Sequence, residues 1–206
     1  VVHRGAADKV FINTSGIGVI PAGVELSAAN ARAGDKVLVN GCIGDHGVAI
    51  LAARDDLALE VPVESDSRPL YGLVEALLAA CPEVRCLRDA TRGGIATVVN
   101  EFASAANVFV NLDEPALPVR EAVRGVCEIL GMDPLYFANE GRLVAVVPAE
   151  RAEAALAAMR GHPAGAGAAI IGEVTDAPAG SVVMHTGFGG KRIVDMLVGE
   201  QLPRIC

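Results

Sequence analysis

At 206 residues the chain suits one large domain, or one domain with a small appendage. Its formal net charge is −8 and its Lys and Arg are scattered, which argues against nucleic acid as the principal ligand. It has no run of about 18 apolar residues to span a membrane, and five cysteines without a CxxC pair do not make a disulfide framework. A cytoplasmic, reducing setting is therefore expected.

Hydrophobic residues make up 52% and aromatics only 3%, so the core must be built from Ala, Val, Leu and Ile. Gly (23) and Pro (11) point to many turns between short elements, as in an α/β or α+β protein. The first ten residues carry His, Arg, Asp and Lys and do not read as a signal peptide.

In chain order, Lys9–Ile20 is expected to form a strand disturbed at Gly16 and Gly18, and Lys36–Asn40 a short buried strand. A helix is predicted over His46–Leu57 with Asp45 in its first turn. The next helix carries Leu70, Leu73, Val74, Leu77 and Leu78 on one face, with Ser67 as its expected N-cap, Pro69 near its first turn and Cys81-Pro82 as its end. Ile95, Val98, Val99, Phe102 and Ala106 predict a further helix opening on Gly93-Gly94, followed by a strand at Val108–Leu112. A helix over Val119–Leu130 closes on Gly131. Leu143–Val147 is a strand and Ala149–Arg160 a helix. Gly161–Ala169 is expected to be a flexible loop, Ala168–Val174 and Val182–His185 strands, and Ala177–Ser181 a turn. One mixed sheet flanked by helices is the economical architecture.

Four places could carry chemistry. Gly41-Cys42-Ile43-Gly44-Asp45-His46-Gly47 runs from a strand into a helix, where backbone N–H groups and the helix dipole favour anions. Gly44, Asp45, His46 and Gly47 are its candidate ligand-binding residues; a tight turn capped by Asp45 is the plainer reading. Asp89-Ala90-Thr91-Arg92-Gly93-Gly94 puts an acid, a hydroxyl, a guanidinium and two glycines before a helix, a set that could hold a metal-bridged phosphate. A helix start capped by Thr91 or Asp89 explains it equally. Phe137-Ala138-Asn139-Glu140-Gly141 could present Glu140 as a general base, or leave it as a solvated charge.

The fourth place is Leu202-Pro203-Arg204-Ile205-Cys206. Pro203 cannot continue a helix, so residues 200–206 are expected to be a flexible tail that places the Cys206 thiol within about 20 Å of its root. Cys42, Cys81, Cys86 and Cys127 have apolar neighbours and read as core or turn residues. The four His are dispersed, without metal-ligand spacing.

Taken together, GCIGDHG, RDATRGG, FANEG and the ending LPRIC closely resemble the HypE family of hydrogenase maturation factors, carbamoyl dehydratases that help make the cyanide ligands of nickel–iron hydrogenases. The DATRGG loop is shared with a wider superfamily that includes aminoimidazole ribonucleotide synthetase, selenophosphate synthetase and thiamine-monophosphate kinase. The resemblance implies that residues 1–20 are a linker strand from a missing N-terminal domain and residues 21–199 a C-terminal α/β domain. It implies ATP and Mg2+ as cofactors, both held mainly by that missing domain, and a homodimer in the intact protein. It also implies that a carbamoyltransferase, HypF, loads Cys206, that Glu140 serves as base, and that cyanide passes to a HypC–HypD complex. This chain alone is expected to be inactive. Another ATP-using enzyme of the superfamily, or a docking module that only presents Cys206, remain the alternatives.

Overall fold

Val37, Leu38 and Val39 are all fully buried, and consecutive burial along a strand requires cover on both of its faces. The computed structural model, which describes residues 15–53 and 61–197, supplies that cover. Strand β1 (Lys36–Val39) lies inside a seven-stranded mixed sheet with β2 (Cys86–Asp89), β3 (Phe109–Asp113), β4 (Leu143–Val147), β5 (Ala169–Thr175), β6 (Ser181–His185) and β7 (Lys191–Ile193). The strand order is β2-β4-β1-β5-β3-β6-β7. Every neighbouring pair is antiparallel except β3 with β6.

Because side chains alternate along a strand, the sheet has two cores. Val37, Val39, Val144 and Val146 face helix α3 (Gly94–Ala106), whose Ile95, Val98, Val99 and Phe102 are buried against them. Leu38, Leu143, Ala145 and Val147 face the other way, onto α2 (Tyr71–Ala80) and α5 (Ala152–Arg160). Leu73 and Leu77 of α2 are fully buried there, each contributing about 1.5–3 kcal/mol by removal from water. A smaller cluster joins α1 (Asp45–Ala53) to α4 (Glu121–Leu130) through Val48, Val123, Val126 and Phe137. This is the mixed α/β architecture that the sequence leads one to expect.

Several local expectations need correction. Residues 15–20 form no strand, since none of them joins a ladder among the described residues; the rest of Lys9–Ile20 lies outside those residues. Helix α1 is described as far as Ala53, and residues 54–57 of the expected helix also lie outside. Ser67 does not cap α2: Leu70 holds that position without a side-chain bond, and the Ser67 N–H instead donates to Ser65 Oγ at 3.2 Å. Ala149–Arg151 is a 3-10 turn ahead of α5.

The expected loose loop at Gly161–Ala169 is a packed turn. His162 Nδ1 accepts the Ala164 N–H at 3.1 Å, and Ala164, Gly165 and Ala168 are buried. Small residues serve close approach there, because a Cβ on residue 165 would lie 2.2 Å from the Met159 carbonyl oxygen. Strands β2 and β7 were not foreseen. Both are edges with exposed charged residues, which blur the alternation that marks a strand. Cys81, Cys86 and Cys127 are buried as expected, and Cys42 is half-buried. Residues 200–206, including Cys206, lie outside the described residues.

Candidate active site

The loop after β1, the loop after β2 and the segment before β4 converge, and Asn139 is the point where they meet. It is completely buried. Its side-chain oxygen accepts the Gly44 N–H at 2.9 Å. Its amide nitrogen donates to the Ala90 and Phe137 carbonyls at 2.9 and 3.0 Å, and its own N–H donates to Ala90 O at 3.1 Å. Three motifs separated by dozens of residues thus share one buried amide.

Two close approaches tighten this junction. Gly94 opens α3 at φ 58°, and a Cβ there would lie 2.4 and 2.5 Å from the carbonyl oxygens of Leu135 and Phe137. Gly141 faces the Asp66 carbonyl oxygen, where a Cβ would come within 2.0 Å. Neither position has room for any side chain.

Behind the loops lies a buried charge cluster centred on Arg142. Its Nε donates to the Cys42 carbonyl at 2.6 Å and lies 3.4 Å from Asp66 Oδ2. A terminal nitrogen of the same guanidinium lies 3.6 Å from Asp45 Oδ2, which Arg120 Nε also reaches at 3.1 Å. Asp45, Asp66 and Arg142 are each at most 5% exposed. Burial pulls the Arg142 pKa below the usual arginine value, while the two carboxylates pull it back up. The hydrogen bond from Arg120 to Asp45 raises the Arg120 pKa. Charges this deep persist because they are paired, and losing one partner would strand the other.

Asp45 therefore does not act as a simple turn cap; its carboxylate is committed to two arginines. His46 is buried, with Nδ1 2.8 Å from Ser65 Oγ. Gly47 lies against the Phe137 ring. Asp89 is exposed at the end of β2, paired in the ladder with Leu143 rather than free in a loop. Thr91 is half-buried and Arg92 exposed, while Gly93 sits at the N-cap of α3 with φ 76° and no side-chain cap bond. A helix capped by Thr91 or Asp89 is thereby set aside. Glu140 is half-buried beside Asn139, and its N–H donates to Asp66 Oδ1 at 3.0 Å. Asp45, Ser65, Asp66, Arg68 and Arg120 border a polar cleft of about 430 Å³.

Sequence reasoning missed Arg142, Asp66 and Arg120. A signal existed for the first. Arg142 directly precedes Leu143–Val147, a run apolar on both faces, so a cation at its start needs a buried counterion. Among the described residues no group of three or more His, Cys, Asp or Glu could hold a metal ion. No helix of the described residues is long and apolar enough to cross a membrane.

Comparison with known proteins matches residues 32–185 to the family of the AIR synthase related protein, C-terminal domain. Carbamoyl dehydratase HypE of Azotobacter vinelandii is 57% identical over all 206 residues, which span 60% of that protein. The Escherichia coli HypE is 50% identical over 206 residues, again 60% of its length. A crystal structure of E. coli HypE superposes with a TM-score of 0.86 at 47% identity, covering 92% of this chain and 58% of that one. A HypE solved in complex with ATP matches at 48% identity with a TM-score of 0.82, covering 87% and 55%. The chain spans about 60% of the length of the curated relatives it matches. The chain belongs to the family of the AIR synthase related protein, C-terminal domain, and its likeness within that family is to the carbamoyl dehydratases HypE.

Proposed function

We propose that this chain is the C-terminal α/β part of an ATP-dependent carbamoyl dehydratase that serves nickel–iron hydrogenase maturation. The observation that carries the reading is the junction at Asn139, whose side chain ties the segment bearing Glu140 to Gly44 at the start of α1 and to Ala90 ahead of α3. Similarity over all 206 residues of this chain, through to Cys206, to 60% of the length of proteins named carbamoyl dehydratase HypE supports it. Residues 1–20 would link to the rest of the protein, 21–199 form the domain, and 200–206 carry the reactive thiol.

The Cys206 thiol carries a carbamoyl group as S–C(=O)NH2. Such an oxygen leaves poorly; ATP, as co-substrate, supplies the phosphoryl group that converts it into a departing phosphate. One N–H proton is released as the oxygen is phosphorylated, and Glu140 takes the second as the C–O bond breaks, so that the N–H electron pair closes the nitrile to give S–C≡N. In balance, carbamoyl thioester and ATP yield thiocyanate, ADP, phosphate and a proton. Gly44 with Asp45, His46 and Gly47 of the first turn of α1, and Asp89, Thr91, Arg92, Gly93 and Gly94 between the end of β2 and the start of α3, would border the nucleotide. The loop before α3 fits a phosphate in having a glycine-rich start to a 13-residue helix with an arginine beside it. The Mg2+ ligands are assigned mainly to the remainder of the intact protein, as the likeness to HypE implies, and this chain alone would be inactive.

A relative has been solved as a HypE–HypF complex, which supports HypF as the partner that loads Cys206; a HypC–HypD complex would receive the cyanide, and the intact protein would be a homodimer. The test is mass spectrometry of the intact protein carrying Glu140→Gln. Cys206 should still be carbamoylated, while the loss of one water from the adduct slows by about 10² to 10⁴-fold. Thiocyanate forming at the unaltered rate would remove Glu140 from the reaction.

A further inference from the structure

We propose that Asp66 is a positioning residue for this reaction, holding Glu140 in place through its backbone rather than touching substrate. The inference rests on the assignment of Glu140 as base. Asp66 lies 74 residues from Glu140 in sequence, on the segment between α1 and α2, yet its Oδ1 accepts the Glu140 N–H at 3.0 Å.

The same segment grips the neighbouring residues. The Asp66 backbone oxygen presses on Gly141 so closely that a Cβ there would sit at 2.0 Å. The Arg68 N–H reaches the Glu140 carbonyl at 3.4 Å. On its other side, Asp66 Oδ2 faces Arg142 Nε at 3.4 Å, and that nitrogen is fixed by the Cys42 carbonyl. Asp66 is only 1% exposed, so its carboxylate is not competing with water for these contacts.

Two observations separate this from ordinary packing. First, the acceptor is aimed at the main-chain N–H of the residue that bears the base, so displacing it shifts the Cα from which the Glu140 side chain projects. Second, Asn139 already anchors the preceding residue to Gly44 and Ala90. The backbone that bears Glu140 is thus anchored by the buried Asn139 amide at the preceding residue and by the buried Asp66 carboxylate at its own N–H. A base must lie within hydrogen-bond reach of its proton, and an error on the order of 1 Å can cost about 10²-fold in rate.

The charge and the acceptor of Asp66 can be tested apart. Asp66→Asn keeps a side-chain oxygen for the Glu140 N–H but removes the negative charge facing Arg142. Asp66→Ala removes both. In the intact protein with Cys206 already carbamoylated, single-turnover conversion to thiocyanate is followed after ATP addition, per folded molecule. Asp66→Ala should slow that step by about 10²-fold with carbamoyl loading unchanged. Asp66→Asn should restore most of the rate even though it loses stability, because Arg142 then keeps only Asp45 as a buried counterion. If the rate instead follows stability, with Asp66→Asn as slow as Asp66→Ala, the residue is merely structural and the proposal fails. Normal conversion by Asp66→Ala would also overturn it. Glu140→Gln in parallel distinguishes the two levels: a normal rate there refutes the base, whereas a slow Glu140→Gln beside a normal Asp66→Ala refutes only the positioning.

Discussion

Asn139 and Gly44 are 95 residues apart, and the side-chain oxygen of the first accepts the backbone N–H of the second at 2.9 Å inside the protein. That bond ties the start of α1 to the segment that carries Glu140. The same amide donates to Ala90 O, which draws in the loop ahead of α3. The three motif segments are therefore joined through one buried amide.

Asn139→Ala should cost the chain about 2–4 kcal/mol, because it leaves the Gly44 N–H without its acceptor and opens a small cavity. Asn139→Asp preserves the acceptor but turns a carboxylate oxygen onto the Ala90 and Phe137 carbonyls. It should be at least as damaging near neutral pH and partly recover on acidification, when the carboxyl can donate. Urea midpoints at two pH values measure both effects; an Asn139→Ala chain as stable as the parent would reduce the junction to incidental contact.

The glycines of the site and those of the surface should behave oppositely. Gly94→Ala forces a Cβ to within 2.4 Å of the Leu135 carbonyl oxygen at a φ of 58°. The left-handed backbone alone costs about 1–3 kcal/mol at such a residue, and the clash adds to it. Gly125 lies inside α4, where an added Cβ would meet nothing within 4 Å. Gly125→Ala should stabilise by about 0.5–1 kcal/mol, since glycine is a poor helix former. Thermal unfolding of the two variants shows the sign of each.

What the sequence disclosed, and what it withheld, follows from the range of the forces involved. Helix α2 could be read because Leu73 and Leu77 repeat at helical spacing, and Leu143–Val147 because a wholly apolar pentapeptide has few other uses. Gly131 closes α4 in the left-handed conformation, a local signal that needs no tertiary partner. The motif loops were visible as clusters of glycine and charge. Their convergence was not, since the bonds from Asn139 to Gly44 and from Asp66 to Glu140 join residues 95 and 74 positions apart. Asp66 stands in a polar stretch, Glu64-Ser65-Asp66-Ser67-Arg68, that reads as solvated surface. Only the fold buries it beside Arg142. Likewise the small residues of Gly161–Ala169 suggest flexibility until the packing of Gly165 on Met159 is seen.

The buried thiols make the last prediction, and its sign can be worked out. Burial pushes the Cys86 thiol up to about 12 and the Cys127 thiol up to about 11, against an ordinary value of 9.0. Both are essentially inaccessible to water, so the folded state keeps them protonated where the unfolded chain does not. Below pH 9 the two states bind the same protons at these sites and stability is indifferent to them. From pH 9 toward 11 or 12 the unfolded state alone ionises, and each thiol should lower stability by about 1.4 kcal/mol per pH unit. Cys86→Ala removes one of these contributions. Its unfolding free energy, taken from urea titrations between pH 8 and 11, should therefore fall less steeply than that of the parent, whatever the offset from the lost side chain. Parallel curves would mean that Cys86 ionises as readily inside the protein as outside. Under the proposed function the same ionisation difference would hold Cys86 and Cys127 as thiols at pH 8, and carbamoyl loading, which needs a thiolate, would be steered away from them.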